Sequence, residues 1–112
     1  MSVRELNSKA EFDALLSSTP FVAIEAGAVW CGPCRAIGPM FDKHAKDLAI
    51  PEKYVFAKFD LDNNPDIAAE LGIRAVPAFF FFESGEKTNT FTGANPQALH
   101  EAVSELSSKA KA

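Results

Sequence analysis

The chain has 112 residues, 47% of them hydrophobic and 23% charged, which is enough apolar material for one modest core and argues against a second domain. A formal net charge of -4 speaks against the basic face on which nucleic-acid binders depend. Ten Phe stand against one Trp and one Tyr, and because a Phe ring has no polar tip, most of these rings are expected in the core.

The opening Met1-Ser2-Val3-Arg4-Glu5 runs into polar sequence, so no secretory signal is expected, and Ser2 in place of a glycine excludes N-myristoylation. Ser2 to Leu6 reads as a weak first strand. Ser8-Lys9-Ala10-Glu11 has capping-box spacing, and Phe12, Leu15 and Leu16 follow at helical steps until Ser17-Ser18-Thr19-Pro20 ends them. Phe21-Val22-Ala23-Ile24, bounded by Pro20 and Gly27, reads as a central strand buried on both faces. From Pro33 a helical stripe of Ile37, Phe41, Ala45 and Leu48 runs to Pro51, with Lys43, Lys46 and Asp47 on the opposite side.

Tyr54 to Asp60 reads as a further strand. Asn64-Pro65-Asp66 then supplies a cap, a first-turn Pro and a first-turn acid for a short helix that Gly72 closes in a left-handed conformation. Ala78 to Phe82 is a strand, Ser84-Gly85-Glu86 a hairpin turn, and Lys87 to Thr92 a polar edge strand. Asn95-Pro96 repeats the cap-plus-Pro device for a last helix striped by Leu99, Val103 and Leu106, and Ser107 to Ala112 is expected to be a frayed tail. Alternating strands and helices imply an α/β fold: a central mixed sheet, mostly parallel, with helices on both faces and a closing antiparallel hairpin. The longest apolar runs, Ala26 to Cys34 and Ala75 to Phe82, fall far short of the roughly 18 residues that suggest a membrane span. No membrane partner is expected, and a cytoplasmic location is the default.

Both cysteines of the chain lie in Trp30-Cys31-Gly32-Pro33-Cys34, at the junction of the central strand with the long helix. Unpaired backbone N–H groups and the helix dipole favour a thiolate on Cys31, which makes it the attacking sulfur. Cys34 follows about one helical turn later, within bonding reach, and is expected to be the more buried of the two and to resolve the mixed disulfide. Pro33 gives up only an N–H that a first helical turn leaves unpaired, and it limits how far the pair relaxes. A structural disulfide is disfavoured because so short a loop constrains little of the unfolded chain. A zinc site lacks two further ligands at finger spacing, since His44 and His100 stand far from the pair; no metal is expected, and both histidines read as packing or surface residues. Two inert core thiols would not need a Gly-Pro helix start between them.

With Trp30 to Cys34 in place, the whole chain resembles the thioredoxin family. The match continues through Pro39, Lys58, Asp60-Leu61-Asp62-Asn63-Asn64-Pro65, Gly72-Ile73-Arg74-Ala75-Val76-Pro77, Gly85 and Gly93-Ala94. The resemblance implies a single thioredoxin domain over 1–112, with a five-stranded mixed sheet flanked by four helices. It implies a cis bond before Pro77, facing the cysteines, so that Val76 offers its backbone to an extended substrate segment. Trp30, Gly32, Pro33, Val76, Pro77 and Gly93 would then form a flat, mostly apolar docking patch.

Glu25 stands where the family usually carries a buried Asp. A buried carboxyl group is held toward its protonated form, which suits a proton acceptor for Cys34, with Lys58 as its neighbour on the next strand. A plain Glu–Lys structural pair is the alternative. Ala26 and Gly27 replace bulky residues of the family, Ala78 replaces a Thr, and the Phe79–Phe82 run is expected to refill the lost volume.

The expected function is protein-disulfide reduction by a Cys31–Cys34 redox pair without a bound cofactor, as a monomer or weak dimer. The resemblance implies electrons from NADPH through a separate thioredoxin reductase and disulfide-containing proteins as substrates. The alternatives are an oxidase or isomerase of the same fold, or an interaction module with altered reductase recognition.

Overall fold

Six consecutive residues of the central strand pair with a neighbour on both edges, and that double pairing positions everything else. A computed structural model describes residues 2–112. Its elements in chain order are β1 (Val3–Glu5), α1 (Lys9–Ser18), β2 (Phe21–Gly27), α2 (Gly32–Leu48), β3 (Tyr54–Asp60), α3 (Pro65–Leu71), β4 (Ala78–Glu83), β5 (Glu86–Thr92) and α4 (Pro96–Lys111). The sheet order is β1-β3-β2-β4-β5. β1, β3 and β2 run parallel, while β4 is antiparallel to β2 and β5 to β4. This is the mixed sheet expected from the sequence.

Each turn between elements follows from its local chemistry. The Ser8 hydroxyl accepts the Glu11 N–H at 3.1 Å, and Glu11 reaches back to the N–H of Asn7 at 2.8 Å, one residue earlier than an ideal capping box. Asn95 Oδ1 accepts the Ala98 N–H at 3.1 Å, with Pro96 opening α4. Asn64 departs from its expected role: its side-chain amide donates to the Asp60 carbonyl at 3.0 Å and gives α3 no side-chain cap. The β3–α3 turn claims it first. Ser84 and Gly85 take φ of 52° and 82° in the two-residue turn between the paired Glu83 and Glu86, which is the twist a tight hairpin needs.

The two faces of the sheet carry separate cores. Ala23, Phe56, Phe79 and Phe81 point toward α2 and α4, where they meet Ile37, Phe41, Leu99 and Val103. Val22, Ile24, Ala26, Phe80 and Phe82 point toward α1 and α3, meeting Phe12, Leu15 and Ile67. The Phe79–Phe82 run is thus a strand buried on both faces, each successive ring serving the opposite core. The same alternation puts Glu25 and Gly27 on the α2 side.

One expectation for the C-terminus is overturned. α4 continues to Lys111, with Ser107 and Ala110 buried, so the tail does not fray. The stripe of Leu99, Val103 and Leu106 extends to Ala110 in the α2–α4 core, and Lys109 pairs with Glu83 at 2.9 Å. Ala110→Glu is expected to lower unfolding stability by about 1–2 kcal/mol through burial of a charge. An unchanged midpoint in urea would mean that the last turn contributes nothing.

Candidate active site

At the end of β2 the chain must turn from a buried strand into a helix whose first N–H groups have no partner within it. The Gly27 carbonyl accepts the Leu61 N–H at 3.0 Å, and the Cys31 N–H closes a turn onto Ala28 at 3.2 Å. Cys31 is the N-cap of α2, and its Sγ accepts the Cys34 N–H at 3.1 Å. A sulfur therefore does what a Ser or Asp oxygen does at most helix starts. That N–H and the helix dipole both favour negative charge on Cys31 once the pair is reduced. Here Cys31 and Cys34 are joined in a disulfide with their Cα atoms 5.3 Å apart.

The Val76–Pro77 bond is cis, and the Val76 carbonyl oxygen lies 3.8 Å from Cys31 Sγ. The Gly93 N–H donates to the Pro77 carbonyl at 2.8 Å, with Gly93 at a φ of 103° that a side chain would resist. Pro77 is buried and Val76 half-buried, so Val76 rather than the proline ring faces outward. Gly32 and Pro33 are exposed on the other side of Cys31. Trp30 is 66% exposed and donates its Nε1–H to Asp62 at 2.8 Å. Val29 adds exposed apolar surface beside it. Asp62 carries no signal of its own in the sequence beyond its place in Asp60-Leu61-Asp62. Arg35 was missed as well; its guanidinium donates to the Val29 carbonyl at 2.7 Å and steadies the loop before Cys31.

The two cysteines are not buried in the order expected. Cys31 is the buried cysteine at 4% exposure, and Cys34 is only half-buried. The cause lies beside Cys34, where Gly27 and Gly38 present no side chain. A Cβ at Gly27 would sit 3.4 Å from Cys34 Sγ. In its place is an open cleft of about 240 Å³, lined by Glu25, Gly27, Cys34, Gly38, Lys58 and Asp60 among others. The volume lost by small residues is refilled on one side only: Ala26 is fully buried against Ala78 and Phe80, whereas the Gly27 side stays open.

Glu25 is 6% exposed, and Lys58 is its register partner on β3. Burial pushes the Glu25 carboxyl up to about 7; the Asp42 carboxylate pushes the same way, and Lys58 opposes them more weakly. Asp42 is a group that sequence reading missed. Cys34, Gly38 and Asp42 recur every fourth residue along α2, a spacing that puts them on one face. His44 and His100 do not join this site; their rings meet each other on α2 and α4 with centroids 5.6 Å apart. Partial burial and the nearby His100 hold His44 below the usual imidazole range. Among the described residues no group of three or more His, Cys, Asp or Glu is placed to hold a metal ion.

Comparison with known proteins gives one consistent answer. The Thioredoxin family model matches residues 3–105. Thioredoxin of Malassezia sympodialis is 40% identical over 105 residues, covering 94% of this chain and 99% of that protein. Thioredoxin-like protein 1 of Schizosaccharomyces pombe is 46% identical over 110 residues; the match covers 98% of this chain but only 38% of that longer protein. Among solved structures, Plasmodium falciparum thioredoxin superposes with a TM-score of 0.86 at 31% identity, covering 92% of this chain and 98% of that one.

The raised Glu25 carboxyl has a consequence for stability. Its folded pKa of about 7 lies above the ordinary 4.5, so the folded protein binds this proton more tightly than the unfolded chain does. The resulting stabilisation is complete below the lower value and is lost as pH rises through the upper one, on the order of 3 kcal/mol in all. Glu25→Gln is expected to abolish that fall, so the stability difference between wild type and variant changes across this window in denaturant titrations. Parallel pH profiles would mean that Glu25 titrates as a solvated carboxyl group.

Proposed function

The chain belongs to the thioredoxin family and has that family's dithiol–disulfide oxidoreductase activity at Cys31 and Cys34, and on that premise we propose a protein-disulfide reductase in which Cys31 attacks and Cys34 resolves. The observation that carries the assignment of roles is the hydrogen bond from the Cys34 N–H to Cys31 Sγ at the start of α2. It favours the thiolate on Cys31 and gives Cys34 no such help.

The Cys31 thiolate attacks one sulfur of a substrate disulfide, and the other substrate sulfur leaves as a thiolate. Val76, beside Cys31, offers backbone N–H and C=O groups to an extended segment around the attacked bond, so that affinity comes with little side-chain selectivity. Trp30, Gly32, Pro33 and Gly93 complete the docking patch, and Pro77 holds Val76 in place from below. Glu25 takes the Cys34 proton, directly or through water in the cleft that both residues line. The Cys34 thiolate then attacks Cys31 Sγ, the reduced substrate leaves, and the Cys31–Cys34 disulfide remains. Two electrons have passed to the substrate. Lys58, in register with Glu25, favours the carboxylate that must form before each proton transfer.

Electrons return from NADPH through a separate thioredoxin reductase in this reading, and the substrates are disulfide-containing proteins. The family resemblance and the exposed Val29 and Trp30 just before Cys31 support such docking. An interaction module with idle cysteines is the weaker reading, because it would not need a sulfur as the cap of α2.

Cys34→Ser is expected to accumulate mixed disulfides between Cys31 and protein substrates, visible on non-reducing gels and reversed by dithiothreitol. Cys31→Ser is expected to form none, and partner binding undisturbed by that change would favour the interaction module. Glu25→Gln should slow insulin reduction about tenfold near neutral pH. An unchanged rate would leave Glu25 a structural group.

A further inference from the structure

His44 in the second half of α2 and His100 in the second turn of α4 come from distant parts of the chain, yet their rings meet with centroids 5.6 Å apart and planes tilted by 42°. The side-chain bonds of the flanking residues go elsewhere. Lys43 donates to Asp47 at 3.0 Å and Gln97 to Glu101 at 3.2 Å, which leaves both imidazoles without a protein hydrogen-bond partner among the described residues. We propose that His44 and His100 together hold one divalent transition-metal ion, copper(II) before others, between α2 and α4, with water completing its coordination.

The separation of the rings is the first reason. Two imidazoles that share an ion at a metal–nitrogen distance of about 2.0–2.1 Å have centroids roughly 4.5 Å apart when the N–metal–N angle is a right angle and roughly 6.4 Å apart when it is straight. The observed 5.6 Å falls between these limits, so an ion fits between the rings without a movement of either helix. The second reason is the rigidity of what carries them. Ala45 beside His44 and Leu99 beside His100 are fully buried in the α2–α4 core, and the Tyr54 hydroxyl pins α4 to the sheet by donating to the Val103 carbonyl at 2.8 Å. Two ligands held on packed helices lose little freedom when they bind.

Access and ligand type then select the ion. His100 is exposed and His44 half-buried, so the pair opens to solvent and leaves positions for water. That is an open site with two protein donors, unlike the closed four-ligand site of a structural zinc. Lys43 is the cation nearest His44 on α2, and its charge is offset by Asp47, with which it pairs. Imidazole nitrogen suits copper, zinc and nickel, and at a given set of ligands copper(II) binds most tightly of these. Met40, 43% exposed and one helical turn before His44, adds a thioether on the same side of α2, a ligand type that copper sites use and zinc sites do not.

The test titrates the oxidised full chain, in which no thiol is free to bind or reduce the ion, with copper(II) chloride in a buffer that does not bind copper. A single ion per chain is expected, with pulsed electron paramagnetic resonance showing two imidazoles on it. A second ligand on a fixed scaffold acts as an intramolecular partner, so His44→Ala and His100→Ala are each expected to weaken binding about tenfold or more. If His44→Ala does not fold, His44→Gln is expected to show the same loss. Binding that survives loss of both histidines, or one imidazole in the wild-type spectrum, would overturn the proposal. Because the pair exists only while α2 and α4 are packed, copper(II) is expected to raise the urea midpoint of the oxidised wild type and to leave that of His100→Ala unchanged. Equal gains in the two proteins, or none in either, would contradict a site shared between the helices.

Discussion

Everything chemical in this protein depends on one unmet need of its backbone: the first N–H groups of α2 have no partner inside the helix, and Cys31 supplies one. Because β2 is paired on both edges and buried on both faces, the position of that helix start is fixed by the sheet rather than by the loop. The sulfur is therefore held at the positive end of a helix dipole by a strand that has little freedom to move. Pairing of β4 with β2 brings the chain before Ala78 to the same end of the sheet, and with it the Val76 carbonyl. Reactive sulfur and substrate-facing backbone are thus consequences of one strand register.

The same register creates a local cost. Side chains of β2 alternate, so the positions that face α2 at its carboxyl end are Glu25 and Gly27, one a buried acid and the other no side chain at all. Glu25 remains inside because burial pushes its carboxyl group toward the protonated form, with Lys58 alongside to favour the charged form when it appears. Gly27 leaves a cleft beside Cys34, and Cys34 is half-buried where Cys31 is buried.

Most of the fold was legible because apolar period, caps and turn residues agreed along the chain. Phe21 to Ile24 read as a doubly buried strand, Gly72 as a left-handed stop and Ser84-Gly85 as a hairpin turn, and the structure has each of them. Asn64 misled because an Asn before Pro suits a cap, while the adjacent turn offered the Asp60 carbonyl as a better partner. The tail misled because Ala110 is too small to register as an apolar stripe residue, although it is fully buried against the core. At the site, the cysteines, the cis Pro77 and Lys58 as the neighbour of Glu25 on the next strand were all anticipated. Which cysteine is the more buried was not, because that depends on how neighbouring elements fill the space vacated at Ala26 and Gly27. They fill one side of the strand and not the other, and composition alone has no means of distinguishing the two.

The central claim is that this junction makes a reducing dithiol rather than an oxidant. The direct test is the midpoint potential of the Cys31–Cys34 couple, obtained by equilibrating the protein in buffers of defined thiol and disulfide ratio and counting alkylated cysteines. The account predicts a value near the roughly -270 mV known for thioredoxin itself. A value above about -200 mV would contradict it, and would mean that the open cleft and the buried Glu25 have turned the pair toward oxidation or isomerisation.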